Sequence, residues 1–268
     1  MRRNFLPRRN LPWPVMPFEP KILIFCAVAA LAAWVQTLTG FALGLILMGV
    51  TGALGLMPVP QAAAITSLLV MVNAVLVLSR GWRDVDRPAL RLILAGAFPA
   101  LVLGYFLLHW LAGTALGLLQ LLLGLVIAGS AAQLAARPAL RKTRSRPSTF
   151  CLAGLAGGTM GGLFATTGPP VIWHLYRQPM NLASVRVTLV ATFLLTQILR
   201  TGLVIAGGGI TRSLLIGAVV AAPAVVFGTW LARRFPPPVQ TATIRKVALG
   251  LLFMSGLSLI LSALGRLV

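Results

Sequence analysis

The run Ala165-Thr166-Thr167-Gly168-Pro169-Pro170-Val171-Ile172-Trp173-His174 places two prolines directly after residues that can cap a helix. Proline is favoured in a first helical turn, where its missing N–H costs nothing and its φ is already helical. The spacing predicts that a helix begins at Gly168-Pro169, inside an otherwise apolar stretch. The first N–H groups of such a helix have no partner in their own helix. Together with the positive end of the helix dipole they attract an anion without any charged side chain. Two readings are open: an anion site at Thr166, Thr167, Gly168 and Pro169, or a kink whose amides are satisfied by neighbouring helices. His174, less than two turns further on, could titrate or donate to an oxyanion.

A second interruption lies in Gln36-Thr37-Leu38-Thr39-Gly40, with Gly44 one turn later. Thr39, Gly40 and Gly44 are therefore the expected counterparts of Thr166 to Pro169. Asn73, Gln197 and Arg200 are polar residues within long apolar runs and complete the candidate set. Arg200 either meets the charge of an anion or snorkels to the membrane interface. Asn73 is either a ligand contact or a hydrogen-bonding link between helices.

Composition says what elements must hold these residues. Of 268 residues, 58% are hydrophobic and 10% are charged, with a mean hydropathy of +0.94; an average soluble protein carries roughly 25% charged residues. Apolar runs cover 22–56, 61–78, 88–110, 115–134, 150–176, 182–206, 213–231 and 244–264. The expected fold is an all-α integral membrane protein of about eight transmembrane segments, arranged as two four-segment repeats. Its first segment is too long for one straight crossing and is broken or re-entrant, and the fifth carries a similar interruption at 166–170. The expected organisation is a basic, Pro-rich cytoplasmic arm at 1–20, a first membrane repeat at 21–136, a basic cytoplasmic linker at 137–149 and a second repeat at 150–268. An even number of crossings per half would make the repeats parallel.

Twenty-three Lys and Arg against three acids give a formal charge of +20. The bases cluster between apolar runs, as in cytoplasmic loops lying against anionic lipid, and nucleic acid is not an expected partner. Arg80, Arg83, Arg87 and Arg91 form one cluster, and Arg137, Arg141, Lys142, Arg144 and Arg146 another. Both fall on the side of the N-terminal arm if the first segment crosses once. Arg233, Arg234, Arg245 and Lys246 would lie outside in a simple eight-crossing count, so either the bias is weak there or one segment does not cross. Glu19, Asp84 and Asp86 all fall outside the apolar cores, so no intramembrane carboxylate is at hand to carry protons or cations. There is no GxxxxGK[ST] phosphate loop, no cofactor signature, and no nucleophile-and-base or metal cluster of the kind an enzyme needs.

Thr39-Gly40-Phe41-Ala42-Leu43-Gly44-Leu45-Ile46, the span entry Pro58-Val59-Pro60-Gln61-Ala62, and Gly161-Gly162-Leu163-Phe164 running into Gly168-Pro169-Pro170 resemble the paired glycine-rich motifs of the TauE/SafE family of sulfite and organosulfonate permeases. Ala42 and Leu43 stand where glycine is frequent in that family. The resemblance implies a bacterial inner-membrane protein of seven to nine spans, built from two four-span repeats, moving small sulfur oxyanions or organic anions, often outward; the basic arm at 1–20 sets the expected N-terminus in the cytoplasm. Expected partners are a small inorganic or organic anion and the lipid bilayer, with a homo-oligomer compatible with both. Rival readings are a passive anion channel and a membrane scaffold subunit that transports nothing.

Overall fold

A computed structural model describes residues 20–79, 81–135, 140–235 and 241–267. Most of the N-terminal arm, Arg80 and Arg137 lie outside the described residues. The described chain forms α1 (Pro20–Thr39), α2 (Leu43–Ala53), α3 (Val59–Leu78), α4 (Arg87–Thr114), α5 (Leu116–Ala135), α6 (Pro147–Phe164), α7 (Gly168–Tyr176), α8 (Leu182–Ala206), α9 (Arg212–Arg234) and α10 (Thr241–Leu267). A short 3-10 turn at Trp82–Asp84 joins α3 to α4. Six helices among the described residues are long and apolar enough to cross a membrane: α1, α3, α4, α5, α8 and α9. Large side chains such as Leu103, Phe106, Trp110, Val219 and Leu261 point outward, as apolar groups do when the surroundings are lipid.

The first and fifth apolar runs are each two helices. α1 stops at Thr39 and α2 starts at Leu43; α6 stops at Phe164 and α7 starts at Gly168. Positive φ angles at Gly40 (81°), Ala42 (103°) and Ala165 (55°) turn the chain between them. Glycine adopts this region without cost, whereas each alanine is strained by its Cβ.

Small residues decide which helices pack. α4 lies along α6 with Ile93 beside Gly154, Ala97 beside Gly158 and Leu101 beside Gly162, so the two run in the same direction. A methyl group on any of these glycines would overlap a backbone carbonyl of α4. In lipid, where apolar surface gains nothing from hiding, such backbone approach is a main source of helix association. α1 lies along α9 in the same way: Cys26 Sγ is 3.8 Å from Val220 O, and Ala30 touches Gly228. Related contacts recur across the chain, since α2 meets α10 as α7 meets α5, and α3 meets α9 as α8 meets α4.

These directions settle where each broken pair goes. α7 returns along α6, with His174 against Phe150 at the start of α6 and Thr167 against Gly157. α1 starts at the end of the bundle where α9 and α3 start, and α2 leads back toward the start of α3. Each pair therefore goes out and comes back instead of crossing once. Arg83, Arg87, Arg141, Lys142, Arg144, Arg146, Arg177, Arg233 and Arg234 consequently share one end, while Lys21 and Arg212 lie at the other. Of the two alternatives left open for Arg233 and Arg234, the fold takes the one in which a segment does not cross.

The basic end is laced together by Asp86. Its carboxylate caps α4 by accepting from Ala89 N (2.8 Å) and pairs bidentately with Arg144 (2.9 and 2.9 Å), while its backbone N–H donates to Thr188 Oγ1 at 2.9 Å. Partial burial raises the Asp86 carboxyl, but the Arg144 pair and the Ala89 N–H outweigh it and hold the group below the usual aspartate range. Gln178 binds Ser145, and Arg141 N donates to Arg177 O, so the linker is strapped across this end.

Candidate anion site at the two helix breaks

The two breaks meet. A Cβ on Gly44 would lie 3.1 Å from Ala165 O and 3.6 Å from the Thr166 Cβ. The N-terminal turns of α2 and α7 thus border one small cavity, lined by Gln36, Phe41, Gly44, Thr166, Gly168 and Gln197. No charged side chain lines it. Gly44, Leu45 and Gly168 N–H groups make no hydrogen bond with the described residues, as expected of first-turn amides.

Each half-helix is held by an amide side chain from another element. Gln36 Oε1 accepts from Leu43 N at 3.0 Å and so caps α2, while its Nε2 donates to Asn73 Oδ1 at 2.7 Å. Asn73 in turn donates to Thr229 Oγ1 (2.8 Å) and Thr37 Oγ1 (3.1 Å), tying α3 to α1 and α9. On the other side Gln197 Nε2 donates to Ala165 O at 2.9 Å, and Thr167 Oγ1 donates to Thr196 Oγ1 at 3.1 Å. Gln197 is 1% exposed, yet its Oε1 has no hydrogen-bond partner. A buried acceptor without a partner thus sits beside the unbonded first-turn amides at the edge of this cavity.

The residues singled out from sequence therefore separate. Gly44, Thr166, Thr167, Gly168 and Gln197 line the cavity, and Pro169 is buried directly behind Gly168. Thr39 and Gly40 shape the turn without lining the cavity: Thr39 O accepts from Tyr176 OH at 2.9 Å, and Gly40 packs against Arg186. Asn73 stands one layer back. His174 is half-buried at the start of α6, 3.4 Å from Thr149 Oγ1 and 3.4 Å from Gln178 Nε2, away from the cavity. Arg200 faces a different and larger cavity. Gln36 and Phe41 are among the cavity residues that the sequence-based set lacks; Gln36 sits in the polar patch that marks the first break.

The cavity measures about 20 Å³, room for roughly one water molecule.

A helical membrane bundle whose two broken helices abut in its interior is an architecture shared with solute transporters. The chain belongs to the TauE/SafE family: the sequence model described as "Sulfite exporter TauE/SafE" matches residues 25–259. A relative from Cupriavidus necator, described as "Probable sulfite/organosulfonate exporter TauE", is 40% identical over 238 residues, spanning 89% of this chain and 93% of that protein. No solved structure matches the chain. Members of this family are transporters, not enzymes.

Proposed function

We propose that the chain is a secondary exporter of small sulfur oxyanions, sulfite or organosulfonates, that binds its cargo where the N-termini of α2 and α7 face each other. The observation that carries this reading is the approach of Gly44 to Ala165 and Thr166, which aims two sets of unbonded amides into one uncharged cavity. Backbone dipoles stabilise an anion there without holding it as tightly as a buried Lys or Arg would, and a carrier must release what it binds.

The two halves, α1 to α5 and α6 to α10, are proposed to be repeats of opposite orientation, each consisting of an out-and-back pair followed by three crossings. Support comes from the recurring contacts and from α1 running with α9 as α6 runs with α4. The basic end faces the cytoplasm of a bacterial inner membrane by the positive-inside rule, which sets Pro20 on the opposite face. The only acids among the described residues, Asp84 and Asp86, sit at that basic end outside the apolar helices, so the membrane potential is the simplest driving force. It favours outward movement of an anion by about 2.3 kcal/mol per charge per 100 mV.

The test is counterflow. Liposomes containing the purified chain and loaded with unlabelled sulfite should accumulate labelled sulfite transiently and saturably. Uptake without trans-stimulation would mean a passive channel, and no flux with any sulfur oxyanion would mean a scaffold.

A further inference from the structure

Arg200 is 1% exposed and buried within α8, and the acids among the described residues, Asp84 and Asp86, lie at the far, basic end. Its Nε donates to Gly162 O (3.3 Å) and its Nη1 to Ser67 Oγ (3.0 Å), with the guanidinium carbon 5.9 Å from the centre of the Tyr105 ring. Nη2 makes no hydrogen bond to a described residue. Arg200 lines a cavity of about 400 Å³ that lies at the end of the bundle opposite the basic loops. The cavity runs from exposed Pro58, Gly209 and Thr211 at its mouth down to Arg200. Its walls are mixed: Ala64, Val204 and Leu214 are apolar and buried, whereas Gln61, His109 and Ser213 carry polar groups. The starts of α3 and α9 flank it.

A guanidinium fixed by two neutral acceptors, with its remaining face turned to an open chamber, lacks the countercharge that a buried cation requires. An oxyanion supplies it by bidentate pairing. An apolar wall above a single cation also fits an alkyl stem, so the chemistry selects an organic sulfonate: sulfonate on Arg200, carbon chain along Ala64 and Val204, and any polar tail toward the mouth. We propose that this chamber is a second, separate binding station for organosulfonates, one helical turn beyond the crossing of the breaks. Its role as an exit station rests on the transport reading given above; its existence does not.

The probe is methanesulfonate, and the reporter is a cysteine in the chamber. Cys26 and Cys151 are free thiols, so the full chain carrying Cys26→Ser, Cys151→Ser and Ser213→Cys presents one thiol. In detergent, its modification by an anionic sulfonatoethyl methanethiosulfonate is compared with that by the cationic trimethylammonioethyl analogue, each normalised to a free thiol in solution. The station predicts that the anionic reagent reacts about tenfold faster, and that methanesulfonate slows it by a similar factor. Arg200→Lys keeps the charge preference and Arg200→Gln loses it; should Arg200→Gln not fold, protection by methanesulfonate with Arg200 in place decides alone. Equal rates for the two reagents, or no protection, overturns the station. Adding Gln197→Ala separates the two readings. Protection that survives while sulfite counterflow is lost supports two sites, and protection that disappears with Gln197 shows one continuous site and overturns the proposal. Protection in a chain that shows no counterflow at all removes the transport reading and leaves the station standing.

Discussion

Gln197 and Arg200 stand three residues apart on α8, and each binds a carbonyl near the end of α6, Gln197 to Ala165 O at 2.9 Å and Arg200 to Gly162 O at 3.3 Å. They nevertheless face different cavities, one of about 20 Å³ between the helix breaks and one of about 400 Å³ at the end away from the basic loops. Three residues advance a helix by roughly 4.5 Å, so the two cavities lie a short step apart along α8.

Gln197→Leu separates binding from folding. The substitution removes the hydrogen bond to Ala165 O, worth about 1 kcal/mol, but also relieves an orphaned Oε1, whose burial costs about 1–3 kcal/mol. Thermal stability in detergent should shift by no more than a few degrees. Sulfite counterflow should fall at least about tenfold, since the cavity loses the side chain whose buried polar atom is left without a partner. Unchanged counterflow would place the cargo elsewhere.

Gly158→Ala probes the α4–α6 seam. A methyl there overlaps Ala97 O, so the helices must separate or the backbone must shift, at a cost of about 1–3 kcal/mol or more. Gly202→Ala is the matched control, because a Cβ at Gly202 meets nothing within 4 Å. Thermal melts should show a clear drop for the first, and no change or a slight gain for the second. Equal melting temperatures would mean that the seam tolerates a wider spacing.

Asn73→Leu removes the link between α1, α3 and α9. Hydrogen bonds to Gln36, Thr37 and Thr229 are lost at about 0.5–1.5 kcal/mol each, partly offset by the apolar replacement in lipid. The greater effect should fall on transport: with its Nε2 unpaired, Gln36 no longer has one orientation in which to cap Leu43 N. A lower maximal counterflow rate with a modestly reduced melting temperature is expected. An unchanged rate would show that the cap does not depend on Asn73.

Asp86→Ala tests the cap and latch at the basic end. Because the folded carboxyl lies below its ordinary value, its contribution to stability is present above the unfolded aspartate range, about pH 3.9, and is lost as pH falls through the folded value. At neutral pH the variant should be less stable by about 1 kcal/mol, the usual worth of an N-cap. The gap between the two proteins should close as the pH drops below about 4. A gap that does not change with pH would mean that the carboxylate's charge plays no part.

Local features are legible in the residues alone. The Thr-Thr-Gly-Pro-Pro and Gln-Thr-Leu-Thr-Gly patches interrupt α6–α7 and α1–α2 because proline, glycine and capping residues act within a few positions of themselves. Thr166, Thr167, Gly168 and Gly44 reach the cavity for that reason, whereas Gln197 reaches it because α8 packs against the second break. His174 does not, because α7 runs back along α6 and carries it toward Thr149 and Phe150. Gln36 escapes selection by sequence because a cap seven residues from Leu43 becomes visible only when the chain turns back at Gly40 and Ala42.

By itself the sequence determined an all-helical membrane protein of the TauE/SafE family, since lipid requires long apolar helices and the glycine and proline spacing writes the breaks directly. Tertiary structure alone decided which way each broken pair leaves. Whether a segment crosses or returns depends on contacts such as Gly154 with Ile93 and Gly228 with Ala30, which join residues distant in the chain. That choice brings Arg233 and Arg234 to the same end as Arg144, and it separates Arg200 from the crossing of the breaks, because helix direction is set by packing and not by any local signal.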